Sequence, residues 1–173
     1  NGNLSWGITY AATDTVDYFI EECRDGKYLR DGTWHPFHGR EEKIEVRGRG
    51  ALQMVVYENE HGTLEGDPHK AGRYLARRWT GLEPVTLDAT HGFLDMVKAR
   101  NVPEGRAGAR KVKVPSLNWV FADAEGNIGH QMSGLVPRRP EGITGMMPVP
   151  GWDSRYDWRG FLPAEELPGC LNP

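Results

Sequence analysis

Apolar and polar positions alternate with a period near two along much of this chain, and only once recur at the three-to-four spacing of a helix. Leu4 to Tyr10 alternates moderately and carries Trp, Ile, Thr and Tyr, which predicts a buried strand. Tyr18 to Cys23 reads as a second strand. Asp25-Gly26 and Asp31-Gly32 bracket Tyr28 and Leu29, so a meander joined by tight turns is expected. Lys43 to Arg47 and, more loosely, Leu52 to Tyr57 read as half-exposed antiparallel strands. The helical spacing joins Phe93, Met96, Val97 and Arg100, with Asp88-Ala89-Thr90 as the cap and Pro103 and Gly105 as terminators. Leu117 to Asp123 and Ile128 to Met132 predict a hairpin around Ala124-Glu125-Gly126-Asn127. Beyond Val136, frequent prolines and glycines predict an ordered loop pinned by Trp152 and Trp158, each contributing about 2 kcal/mol on burial. The predicted class is α+β, mainly antiparallel strands with one clear helix and a Pro/Gly-rich C-terminal segment.

Composition changes this picture little. A chain of 173 residues can bury one sizeable core, so residues 1–173 are expected to form a single domain. The net charge of -3 is spread over interspersed charges of both signs, which argues against nucleic acid or a membrane surface as partner. The basic run Arg106, Arg110, Lys111 and Lys113 lacks interleaved aromatic residues and reads as a solvated loop between helix and strand. Cys23 and Cys170 lie far apart without Cys-x-x-Cys spacing, so no zinc or redox motif is indicated and pairing depends on the fold. No apolar stretch approaches the roughly 18 residues of a membrane span, and the N-terminus has no signal-peptide pattern.

Several segments, taken in order, point further. Asn1-Gly2-Asn3-Leu4-Ser5-Trp6-Gly7-Ile8-Thr9 is followed by the acidic stretch Asp14 to Glu22, then by His61-Gly62 and Arg78-Trp79-Thr80. Asn118 to Gly129 reads Asn-x-Val-x-Ala-Asp-x-x-Gly-Asn-Ile-Gly, and Gly151-Trp152, Tyr156-Asp157-Trp158-Arg159-Gly160 and Glu166-Leu167-Pro168 close the series. This ordered set resembles the β-chains of the penicillin amidase family over nearly the whole chain.

The resemblance implies part of the four-layer αββα fold of N-terminal nucleophile hydrolases. In such enzymes a self-cleaved precursor exposes a β-chain Ser whose own amino group is the base and whose hydroxyl attacks an amide carbonyl. Asn1 has neither hydroxyl nor thiol, so the resemblance places the nucleophile upstream and the oxyanion asparagine beyond Asn172-Pro173. The chain is then expected to be an internal β-subunit fragment, inactive alone. Its partners would be the remainder of the β-chain, the α-chain of the same precursor and a small-molecule amide, of β-lactam or acyl-homoserine lactone type.

The resemblance assigns the second oxyanion donor to the backbone N–H of Tyr10, with Ile8 and Ala12 flanking the acyl pocket. It also implies a structural Ca²⁺ held by Asp14, Val16 and Asp17, completed by oxygens from elsewhere in the intact enzyme and near Gly145. Read without it, Tyr10 is a plain strand residue and the two aspartates are solvated turn or cap residues. A periplasmic or secreted location is expected by the same analogy. His35 and His38 offer a weak metal spacing disrupted by Pro36. The region Asp123 to Asn127 lacks the oxygens of a calcium loop and reads as a turn. The competing expectation is a non-catalytic β-rich binding module on the same scaffold, and a third is an independently folding inserted subdomain.

Overall fold

A computed structural model describes residues 2–84 and 89–173. The sequence expectation of α+β holds: among the described residues twelve strands, nearly all antiparallel, accompany two α-helices. The chain clusters into two compact units. The first comprises residues 1–15, 80–138 and 160–173, and the second residues 16–79 and 139–159.

In the first unit β1 (Leu4–Tyr10), β9 (Leu117–Asp123), β10 (Ile128–Ser133) and β12 (Gly169–Leu171) form an antiparallel sheet in the order β1-β9-β10-β12. The register sets Trp6 opposite Phe121, Ile8 opposite Trp119 and Tyr10 opposite Leu117. Leu117, Trp119 and Phe121 therefore share one face, and they pack with Met96, Ala99, Val102, Ala109 and Val112 from the helical region. Trp119 is fully buried, meets Trp6 and Phe93 edge-on, and donates its indole N–H to Ser133 Oγ at 2.8 Å. The expectation of a buried β1 fails: Trp6, Ile8 and Tyr10 are exposed, because β1 is the edge strand of this sheet.

Two helices replace the single one expected. α1 (Ala89–Lys98) matches the predicted spacing, while Asp88 of the expected cap lies outside the described residues. Pro103 does not terminate α1; it opens α2 (Val102–Ala109), where the missing N–H of proline costs nothing in the first turn. Asn101 caps α2 by accepting from Glu104 N–H at 3.0 Å, and Glu104 accepts in return from Arg100 N–H at 2.8 Å. The start of the supposed basic loop is thus helical. Arg106 and Arg110 both donate to the buried Gln131 side chain instead of lying in solvent.

The second unit holds β2 (Val16–Arg24), β3 (Lys27–Arg30), β4 (Thr33–Pro36), β5 (His38–Ile44), β6 (Leu52–Asn59), β7 (Gly62–Glu65) and β8 (Gly72–Trp79), ordered β4-β3-β2-β8-β7-β6-β5. The two expected tight turns are present. Asp25 and Gly26 have φ of 49° and 73°, Asp31 and Gly32 45° and 82°, the paired positive values that suit two-residue hairpins. The strand expected over Lys43 to Arg47 instead ends at Ile44. β11 (Val149–Pro150), in the predicted loop, pairs parallel with Phe19 and Ile20 of β2. Cys23 and Cys170 are both free thiols, one in each unit.

Candidate functional site

The open edge of β1 is the first candidate. Ala11 N–H donates to Ser116 C=O at 3.2 Å, so Tyr10 and Leu117 form a non-hydrogen-bonded pair. Successive backbone N–H groups of a strand point to opposite sides, and Tyr10 N–H consequently points away from β9. Among the described residues the sheet has no strand on that side. The result is a fixed dipole aimed outward from the sheet, with a side chain 78% exposed. Ile8 lies on the same face of β1 two residues earlier and is also exposed. Ala12, just past the strand, has φ of 51°, a left-handed backbone that costs a non-glycine residue about 1 kcal/mol. The structure therefore brings Ile8, Tyr10 and Ala12 to one strand end.

The acidic pair is placed differently. Asp14 is exposed in the first unit, whereas Val16 opens β2 in the second. Asp17 is buried, and its carboxylate is shared by two donors. Oδ2 accepts from Arg139 Nε at 2.8 Å and Trp158 Nε1 at 2.5 Å, and Oδ1 accepts from Arg139 Nη2 at 3.0 Å. A carboxylate offers about four acceptor sites, so one remains on Oδ1. The donor type of Asp14, Val16 and Asp17 fits a hard cation, but calcium takes about six to eight oxygens and this set is partial. Among the described residues no three His, Cys, Asp or Glu side chains gather into a metal-holding group.

A second cluster, to which the sequence reading assigned no chemistry, lies inside the second unit. β2 turns Asp17, Phe19, Glu21 and Cys23 inward, so two of its four buried positions are acids. His61, from the turn between β6 and β7, is fully buried and stacks on Phe19 with ring centroids 3.9 Å apart. Its Nδ1 lies 2.6 Å from Glu21 Oε1 and its Nε2 3.0 Å from Asp157 Oδ1. Arg30 of β3 pairs with Asp157 and Glu60 and donates to Gly151 C=O at 2.9 Å, and Tyr28 O–H donates to Glu60 at 2.6 Å. Burial disfavours a charged His61, but hydrogen bonds to Asp157 and Glu21 and their negative charges prevail, raising its pKa above the ordinary value. Burial likewise opposes ionised Asp157, yet bonds from His61 and Arg30 pull its pKa down to about 2. Burial, then Glu21 and Glu22, push the Cys23 thiol up to about 12, which makes it inert as a nucleophile.

A period-two reading misses this cluster because the inward positions of β2 are polar where a core strand is expected to be apolar. The available signal was Glu21 alternating in phase with Phe19, together with His61 between Glu60 and Gly62 in the sequence.

The penicillin amidase family model matches residues 1–173. The chain belongs to the penicillin amidase family. It is 39% identical over 166 residues to an acyl-homoserine lactone acylase, QuiP, of Pseudomonas putida, covering 93% of this chain and 20% of that protein. To a penicillin G acylase of Escherichia coli it is 37% identical over 179 residues, covering 100% of this chain and 20% of the relative. Among solved structures, a thermostable penicillin G acylase from Alcaligenes faecalis superposes with a TM-score of 0.88 at 27% identity, covering 100% of this chain and 31% of that one. The penicillin amidase fold of the N-terminal nucleophile hydrolases accounts for the α+β arrangement. The chain spans about a fifth of the length of the curated relatives it matches.

Proposed function

We propose that these residues are one part of an acylase that hydrolyses the amide of an N-acyl-homoserine lactone or a penicillin, and that Tyr10 N–H donates to the oxyanion. The observation that carries the reading is the outward aim of that N–H from the edge of β1. As a nucleophile adds to the amide carbon, charge develops on the carbonyl oxygen, and a backbone dipole already fixed in place stabilises it without reorganisation. Ile8 and Ala12 border the acyl group in this reading. The Ser nucleophile, its amino-group base and the oxyanion asparagine are assigned to the remainder of the β-chain, with the α-chain completing the pocket. On that assignment the chain alone hydrolyses neither substrate. Asp14, Val16 and Asp17 contribute oxygens to a calcium ion that needs further ligands, a reading testable by calorimetric titration of the full-length protein with Ca²⁺.

The decisive test replaces the N–H and the side chain separately in the full-length protein. Proline is tolerated on an edge strand where the N–H faces outward. Tyr10→Pro is expected to lower kcat by about 10²- to 10³-fold, while Tyr10→Ala retains most of it. Equal activity of the two variants would remove Tyr10 from the oxyanion hole. Failure of the full-length protein to cleave either amide would favour the non-catalytic binding module.

A further inference from the structure

Residues 139–159 form a strap on the second unit, and its β11 is the eighth strand of that unit's sheet, paired with β2. Val149 and Pro150 pair with Phe19 and Ile20, and Gly151 N–H donates to Ile20 C=O at 2.9 Å. Asp31 N–H donates to Trp152 C=O at 2.9 Å, and Ser154 N–H to Asp31 Oδ1 at 3.0 Å. The strap passes so close to Glu21 that a Cβ on Gly151 would stand 2.6 Å from Glu21 Oε2. Two charged ties hold it to the sheet: Arg139 pairs with Asp17 of β2, which also accepts from Trp158, and Asp157 is held by His61 and Arg30.

The two His61 ring nitrogens each face a carboxylate oxygen. A neutral imidazole has one N–H and one lone pair, so it would satisfy one carboxylate and set its lone pair against the other. Only the imidazolium donates to both. Asn59 Nδ2 also donates to Glu21 Oε1 at 2.9 Å, and Arg30 pairs with Asp157 and favours its ionised form. We propose that a doubly protonated His61 latches the strap onto the sheet at Asp157, making this one of its ties a proton-operated fastening that loosens the strap locally when that proton leaves.

Every charged group facing the ring enters the balance. Glu21 from β2 and Asp157 from the strap hold the proton; Arg30 Nη1, 3.4 Å from Nε2, opposes it. Arg30 is in turn offset by Glu60 and Asp31. Phe19 covers the ring from β2 and offers no competing charge. Loss of the proton leaves Glu21 and Asp157 facing each other across a neutral ring, with Asn59 on Glu21 and Arg30 on Asp157, and costs the strap the His61 part of its hold while the Arg30 and Asp17 ties remain. The raised pKa of His61 agrees with this geometry.

Hydrogen exchange by mass spectrometry on the full-length protein tests the latch, with residues 117–133 of the other unit as internal reference. After correction for intrinsic rates, strap protection is expected to hold at about pH 6 and fall by up to about tenfold per pH unit above the His61 titration, relative to the reference. His61→Gln should give low protection at every pH. Glu21→Gln, which leaves the strap side chains intact, should move the fall to lower pH, and it serves alone if His61→Gln does not fold. The proposal is overturned by ¹⁵N shifts of a neutral His61 ring at about pH 6, or by strap protection that tracks the reference to about pH 9.

Discussion

The two units solve the burial problem with different chemistry. The first packs Trp119, Phe121, Met96, Val102 and Val112 into an apolar core whose buried polar residues, Thr80, Gln131 and Ser133, carry no charge. The second buries Asp17, Glu21 and His61 beside Phe19 and Cys23. Apolar burial is indifferent to pH and nearly additive in area. Buried ions are useful only while every partner is present, since removing one strands the other. The first unit should therefore tolerate chemical change and resist loss of volume, and the second the reverse.

The sharpest contrast uses one substitution in each. Trp119→Ala is expected to destabilise the first unit by about 3–5 kcal/mol through the cavity it leaves, equally at neutral and acid pH. Asp17→Ala should cost about 3–5 kcal/mol because it removes the buried carboxylate that Arg139 and the Trp158 indole N–H both donate to. Denaturant melts monitored per unit by hydrogen exchange would check both. Similar pH dependence for the two variants would break the distinction. Next in size are glycines under close approach. A Cβ at Gly105 would meet Phe121 at 2.9 Å, and one at Gly151 the Glu21 carboxylate, so alanine at either is expected to cost about 1–3 kcal/mol. Gly105→Ala should strain apolar packing only, whereas Gly151→Ala should also displace the strap and raise its exchange.

The smallest effect is the acid limb of the second unit. Asp157 has a pKa below its ordinary 3.8, so it binds fewer protons folded than unfolded. Its contribution is complete above about pH 4 and disappears as pH falls to about 2. His61 has the opposite sign: its contribution is full below the ordinary 6.5 and is lost as pH rises through its folded value. Stability of the second unit should thus be greatest between these limits, a profile that thermal melts across pH would show or exclude.

The family was legible in the order of its motifs, and so were β1, the Asp-Gly turns and the β9–β10 hairpin, because alternation and turn chemistry are local. Pro103 was misread because a proline that ends one helix and one that begins the next look alike until Asn101 is seen capping α2. Tyr10 could be named from its motif, but the direction of its N–H follows from pairing with a strand more than a hundred residues away. The inward acids of β2 could be counted in the sequence; which partners they meet depends on His61, Arg30, Arg139 and Asp157, brought from distant segments. What the sequence by itself determined is therefore the local repertoire of strands, turns and helix starts, and the family. Only the tertiary structure decided which edge stays open and which charges are buried together, because desolvation and partner geometry belong to the assembled chain and to no single segment of it.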